Sequence, residues 1–239
     1  MTNQERTDPK AGLPLQTGIT DALPIVLGYL PLGFAFGVLA KNTGITVFQA
    51  TMMSLLSFTG AGQYIAIGIL KAGGAVATII MANILVNLRY LLFSASTVPY
   101  LKDRVPPPLG ALLSYGLTDE TYAVAMTRYR NYYPTTAYLA GLNITAHLGW
   151  IGSTLLGALA GNYIADTGEL GLGFALPAMY TCLLVLMIER RPHLRAAVAA
   201  AVTCLATGYL FPGTMESLSN IILATIIGAT IGVISDQSS

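Results

Sequence analysis

The residues best suited to chemistry in this 239-residue chain are ones that do not belong in hydrocarbon. Arg89 stands one residue past the middle of the apolar stretch Ala75–Leu101, with Asn83 and Asn87 just before it. An arginine at bilayer depth costs about 2.5–3.5 kcal/mol on insertion scales. Mid-span, its side chain is far from either headgroup layer, so it must face protein or water and have a partner. An Arg fork holds a carboxylate bidentately, so one reading seats a substrate carboxylate on Arg89. The other makes Arg89 half of a structural ion pair with Asp119 or Glu120, or a cap on carbonyls freed at a helix break.

Asp119 and Glu120 suit a substrate ammonium or a coupling proton; capping the tip of a re-entrant segment is the alternative. His147, one turn from Asn143, is a further proton candidate or a satisfied polar contact. Gln63, with Gly60 and Gly62, offers amide and backbone groups at an unwound mid-membrane point, unless these small residues only allow close packing. Asn83 and Asn87 are substrate-binding candidates or interhelical glue, and Asp21 reads as an interfacial cap for the first span. Cys182 and Cys204 lie in apolar segments and read as small hydrophobes. No phosphate-binding loop, His-Glu-x-x-His or Gly-x-Ser-x-Gly motif is present. Neither a catalytic site, a metal nor a cofactor is expected.

The elements that must position these residues are membrane helices. The chain is 54% hydrophobic and 10% charged, with mean hydropathy +0.64, where soluble domains run near 25% charged. It also lacks the basic footprint of a nucleic-acid binder. Residues 1–18 read as a mobile polar tail, 19–235 as one transmembrane domain and 236–239 as a short C-terminus.

Within that domain eight apolar segments follow. The first, Ala22–Ala40, carries Pro24 and Pro31 and is expected to be kinked or interrupted. The second, Thr46–Leu70, has Ser57–Gln63 at its centre and is expected to unwind there. The third is Ala75–Leu101. At about 100° per residue, Asn83, Asn87, Tyr90, Ser94 and Thr97 share one stripe, while Arg89 lies elsewhere with Thr78 and Ser96. That helix is either central or broken near Asn87. The fourth, Leu109–Thr127, is a full span or a re-entrant piece followed by a helix with Thr118 as N-cap. Segment five, Thr135–Ala160, puts Thr136, Asn143, His147 and Thr154 on one face. Glu169–Ile188, Leu194–Phe211 and Leu218–Ile234 complete the set.

The positive-inside rule gives eight cations inside and three outside for eight spans with the N-terminus inside. It gives the same score for seven spans with the N-terminus outside. Both schemes put Arg128–Arg130, Arg190–Arg195 and the C-terminus in the cytoplasm. The expected architecture is all-α, polytopic, with seven or eight transmembrane helices, one or more of them interrupted.

Four patches carry a resemblance: Asp21-x-x-Pro24, Gly60-Ala-Gly-Gln63, Asn87-Leu-Arg89-Tyr90 and Thr118-Asp119-Glu120. In this order and spacing, over about residues 18–235, the chain resembles the AzlC/BrnF family, the large subunits of bacterial two-component branched-chain amino acid exporters. Tyr90 departs from the histidine of many relatives. The resemblance implies a secondary transporter in the bacterial cytoplasmic membrane. It would export valine, leucine and isoleucine, with methionine as a further candidate, alongside a small membrane subunit of the AzlD/BrnE type. A passive channel, an intramembrane enzyme or a packing subunit are the rival readings.

Overall fold

A computed structural model describes residues 12–164, 190–211 and 219–237, with isolated positions between 171 and 188. The described residues are helical apart from turns and a single bridge between Gly12 and Tyr133. They fall into two compact units, Met1–Leu176 and Pro177–Ser239, where the sequence reading has one domain over 19–235.

The first unit is built on helix α1, Leu15–Asn42. It starts inside the stretch read as a tail, and it runs unbroken through Pro24 and Pro31. Those prolines therefore do not interrupt the first span. Helix α8, Thr136–Ala160, packs along α1. Gly18 lies against Gly141, Gly33 against Ser153, and Gly37 against Gly157, so contacts advance together along both helices and the two run parallel. In lipid, close backbone approach replaces hydrophobic driving force, and these glycines permit it. A methyl on Gly157 would overlap the backbone of Phe34. Gly157→Ala is therefore expected to cost about 1–3 kcal/mol and to lower the melting temperature in detergent. Gly28→Ala, which has open space around it, is the control that should not lower it.

Between α1 and α8 the chain makes one crossing and two hairpins. Helix α2, Val47–Leu56, and helix α3, Ala61–Lys71, are separated by Ser57–Gly60. Thr46 opens α2 with a capping box to Gln49, just past the α1 C-terminus. Descending, α2 brings Ser54 to Thr154 and then Phe58 to Tyr29, halfway along α1. From there α3 climbs back. Tyr64 reaches the Leu32 carbonyl, and Ile67, Gly68 and Lys71 line a cavity with Leu39, Asn42 and Thr43. Segment two does unwind at Ser57–Gly60, but it reverses there and is a re-entrant hairpin, not a span.

Helices α4, Val76–Asn87, and α5, Arg89–Leu101, form the crossing, with a break in the ladder at Leu88. Leu88 itself stays helical at φ −54°, ψ −28°. This pair is neither central nor straight-laddered: only Ala82 and Thr97 are buried within the chain, and the break falls beside Asn87.

Helix α6, Pro107–Leu113, then rises with a 3-10 turn, Ser114–Gly116, as far as Asn143 and His147 of α8. Helix α7, Asp119–Tyr129, returns to the starting side, where Arg128 meets Asp21 and Tyr129 meets Tyr138. Thr118 caps α7: its hydroxyl accepts from the Thr121 amide at 3.2 Å. Segment four is thus the re-entrant piece followed by a Thr118-capped helix. The seven-span scheme already leaves out segment four, and the reversal within segment two removes one more span from it.

The plan is repeated with its direction inverted. A crossing helix is followed by a hairpin dipping back from the side where that crossing ends, first as α1 with α2–α3, then as α4–α5 with α6–α7. The hairpin tips meet, with the Tyr115 hydroxyl donating to the Leu55 carbonyl at 2.8 Å. Inverted-topology repeats with binding at the midplane are a transporter architecture.

In the second unit α9, Arg191–Leu210, packs on α10, Ser219–Gln237. Gly228 lies against Ala196 and Ala200, and Arg195 donates to Ser235 at 2.6 Å. Most of segment six, including Cys182, lies outside the described residues.

Candidate functional site

The two interrupted places in the first unit converge on one charged pair. Arg89 is the first residue of α5, and Asp119 is the first residue of α7. Their side chains form an ion pair, Nη1 to Oδ2, at 2.6 Å. Neither is sealed: 24% of the Arg89 side chain and 16% of the Asp119 side chain stay accessible. The N-terminal end of a helix favours a carboxylate, and Asp119 stands in the first turn of α7. The Arg89 guanidinium also lies over the Tyr90 ring, 5.1 Å from its centroid.

Beside this pair, Glu120 accepts a 2.8 Å hydrogen bond from the Tyr29 hydroxyl, which also pairs with the Thr118 hydroxyl at 2.8 Å. Adjacent residues of α7 thus face different elements, Asp119 toward α5 and Glu120 toward α1. On the other hairpin, Thr59 donates to Asn87 Oδ1 at 2.6 Å. Asn83 donates to the Gly62 carbonyl at 3.3 Å and to Ile79 of its own helix at 3.0 Å. Arg89, Asn87, Asp119 and Glu120 are therefore gathered where both hairpin tips meet the α4–α5 break. Gly60 makes the turn that allows it, at φ +39°, ψ −79°.

Gln63 and His147 belong to a neighbouring layer. Gln63 is buried; its Oε1 accepts from Trp150 at 2.8 Å and its Nε2 donates to Ser54 at 3.0 Å. Ser54 continues to Thr154 at 2.8 Å. Both ends of the Gln63 amide are thus engaged by protein. His147 Nε2 pairs with the Ser54 carbonyl at 2.9 Å, and its ring stacks on Phe58 at 4.4 Å. Asn143 donates to the Leu113 carbonyl at 2.7 Å. These bonds satisfy backbone and side-chain groups that the two half-membrane hairpins leave without helical partners.

Asp21 is not a helix cap. It sits within α1 and takes a bidentate Arg128 at 2.7 and 2.8 Å, plus the Tyr138 hydroxyl at 3.1 Å. Tyr29, Thr59 and Phe58 were not singled out from sequence. A tyrosine in the middle of a span, far from the interfaces where tyrosines collect, is the signal that marks Tyr29.

The family model described as AzlC protein matches residues 24–164. Over 191 residues the chain is 34% identical to an uncharacterized membrane protein of Archaeoglobus fulgidus, covering 79% of this chain and 82% of that one. It is 28% identical over 215 residues to the inner membrane protein YgaZ of Escherichia coli, with 88% and 85% covered. The branched-chain amino acid transport protein AzlC of Bacillus subtilis is 24% identical over 172 residues, with 70% and 64% covered. No solved structure matches the chain. The match spans both hairpins and the charged pair between them, and the chain is a helical membrane protein of the transport-associated AzlC family.

Proposed function

We propose that this chain is the large subunit of a secondary exporter for branched-chain and other hydrophobic amino acids in the bacterial cytoplasmic membrane, working with a small AzlD/BrnE-type subunit. The observation that carries the reading is the Arg89–Asp119 pair, half-buried between two helix interruptions. A zwitterion is complementary to an ion pair. The substrate carboxylate takes Arg89, its ammonium takes Asp119, and the two protein charges part to admit it. Net charge is unchanged, so each desolvated charge keeps a partner.

The hairpins supply the gates. The α2–α3 tip closes the site from one face and the α6–α7 tip from the other, as alternating access requires. Lys102, Arg104, Arg128 and Arg130 lie at the end where α1 begins, and Lys41 and Lys71 at the end where it stops. By the positive-inside rule the α1 N-terminus faces the cytoplasm. The C-terminus is assigned to the same side from the Arg190–Arg195 cluster.

Proteoliposomes preloaded with leucine test the reading, with the chain alone and with its small partner. Labelled valine, leucine, isoleucine and methionine are expected to show counterflow, whereas glycine and lysine should not. Flux that follows concentration alone, without counterflow, would make the chain a passive channel. Glu120 is assigned the coupling proton. Glu120→Gln keeps an oxygen for Tyr29, so it should preserve exchange at equal pH and lose at least tenfold of the flux driven by a pH gradient. Equal loss of both activities would place Glu120 in substrate binding instead.

A further inference from the structure

We infer that a groove between the end of α5 and the start of α6 binds a glycerophospholipid whose headgroup carries a phosphate and a primary ammonium. The groove has a volume of about 750 Å³, within the range of ligand pockets, about 300–1,000 Å³. Its walls are apolar, formed by Val98, Leu101, Val105, Pro107 and Ala111. Its rim is Lys102-Asp103-Arg104.

The position sets the occupant. Val76–Leu101 is 26 residues long, about 39 Å at 1.5 Å per residue, against a hydrocarbon core of about 30 Å. The rim therefore lies at headgroup level and the walls in the acyl region. Phospholipid is the solvent of an apolar groove placed there. Helix α6 buries none of its residues within the chain, so an acyl chain in the groove gives it an apolar neighbour. Above the groove Val98 and Leu91, exposed on one face of α5, continue the path for about 10 Å.

The rim charges match the headgroup. The Lys102 side chain is exposed and makes no hydrogen bond or ion pair among the described residues. Arg104 is held in place, its guanidinium 4.3 Å from the Tyr133 ring centroid and donating to the Tyr100 carbonyl at 3.2 Å. A guanidinium has five N–H donors, so others remain for a phosphate. Asp103, turned at φ 64°, adds a carboxylate that makes no ion pair among the described residues. A purely anionic headgroup leaves that carboxylate opposed; a primary ammonium pairs with it.

The full-length chain, purified and delipidated in detergent, tests this with dioleoyl phosphatidylethanolamine, phosphatidylglycerol, phosphatidylcholine and dioleoylglycerol. Native mass spectrometry and melting temperature are the readouts. One phosphatidylethanolamine should persist and raise the melting temperature, more than any of the other three does. Lys102→Gln, an exposed change with no partner to lose, should lower its occupancy about fivefold. Gly110→Leu, where a Cβ lies an ordinary 3.6 Å from Val105, should fill the groove and abolish retention. Lys41→Gln at the other end of α1 should match wild type. The inference is overturned if both groove variants retain the lipid like wild type. It is equally overturned if dioleoylglycerol, phosphatidylglycerol or phosphatidylcholine serves as well as phosphatidylethanolamine. Transport does not enter these readouts, so they stand or fall separately from the exporter reading.

Discussion

Exchanging the two site charges, Arg89→Asp together with Asp119→Arg, is expected to yield a folded protein that moves no amino acid. Removing either partner alone strands the other, half-buried, without its counter-charge. Such losses run about 3–5 kcal/mol for buried pairs, and the partial exposure of this pair puts the cost at the lower end. Single variants therefore confound binding with folding. The exchange restores an ion pair of the same length and repays most of that cost. The helix-dipole effects oppose each other, since the cation placed at the first residue of α7 is matched by an anion at the first residue of α5. A zwitterion entering from the same direction meets the wrong charge at each end, and like-charge contact is a strong rejection. Counterflow should drop at least a hundredfold while the melting temperature returns most of the way to wild type. Transport above a tenth of the wild-type rate in the exchanged protein would leave the pair as scaffold and remove it from substrate binding.

The class of fold was legible because it rests on bulk composition. Low charge and long apolar segments announce membrane helices regardless of partners. Local chemistry was legible too. Thr118 followed by two acids marks a helix start, Ser57–Gln63 marks an unwound point, and segment five matches α8 to within a residue at its start. What hydropathy does not encode is whether the chain reverses at an unwound point. Two helices of 10 and 11 residues are together as long as one span, so a hairpin and a broken crossing read alike. The reversal is decided by contacts with α1, remote in sequence. Gln63 shows the same limit: its partner Trp150 lies 87 residues away, and without it the amide reads as open. Asp21 looked like a cap because the start of α1 at Leu15, behind Pro14, shows no capping side chain. The Arg89–Asp119 pairing was among the alternatives, since a buried arginine must find an acid and few were within reach.

Gly60→Ala should end transport and lower the melting temperature by several degrees, for a reason that lies in the backbone. At φ +39°, ψ −79° Gly60 occupies a region that L-residues with a Cβ rarely enter, at a cost of about 1–3 kcal/mol. The methyl itself has room, since its nearest neighbour is the Trp150 ring at 3.6 Å. The α2–α3 reversal depends on this one residue, and with it the approach of Thr59 to Asn87. Gly62→Ala is the informative contrast. There the backbone is helical, and the added methyl would strike the Asn83 side chain and, less closely, that of Thr59. Trimming Asn83 to alanine should relieve the tighter of the two collisions, so Gly62→Ala and Asn83→Ala should couple by more than about 0.5 kcal/mol. Trimming the Trp150 ring cannot relieve a dihedral, so Gly60→Ala and Trp150→Phe should simply add. Melting curves of the two double-mutant cycles decide it. A Gly60→Ala protein that melts and transports like wild type would mean the hairpin tip does not need this geometry, and the gate proposed on it would fail.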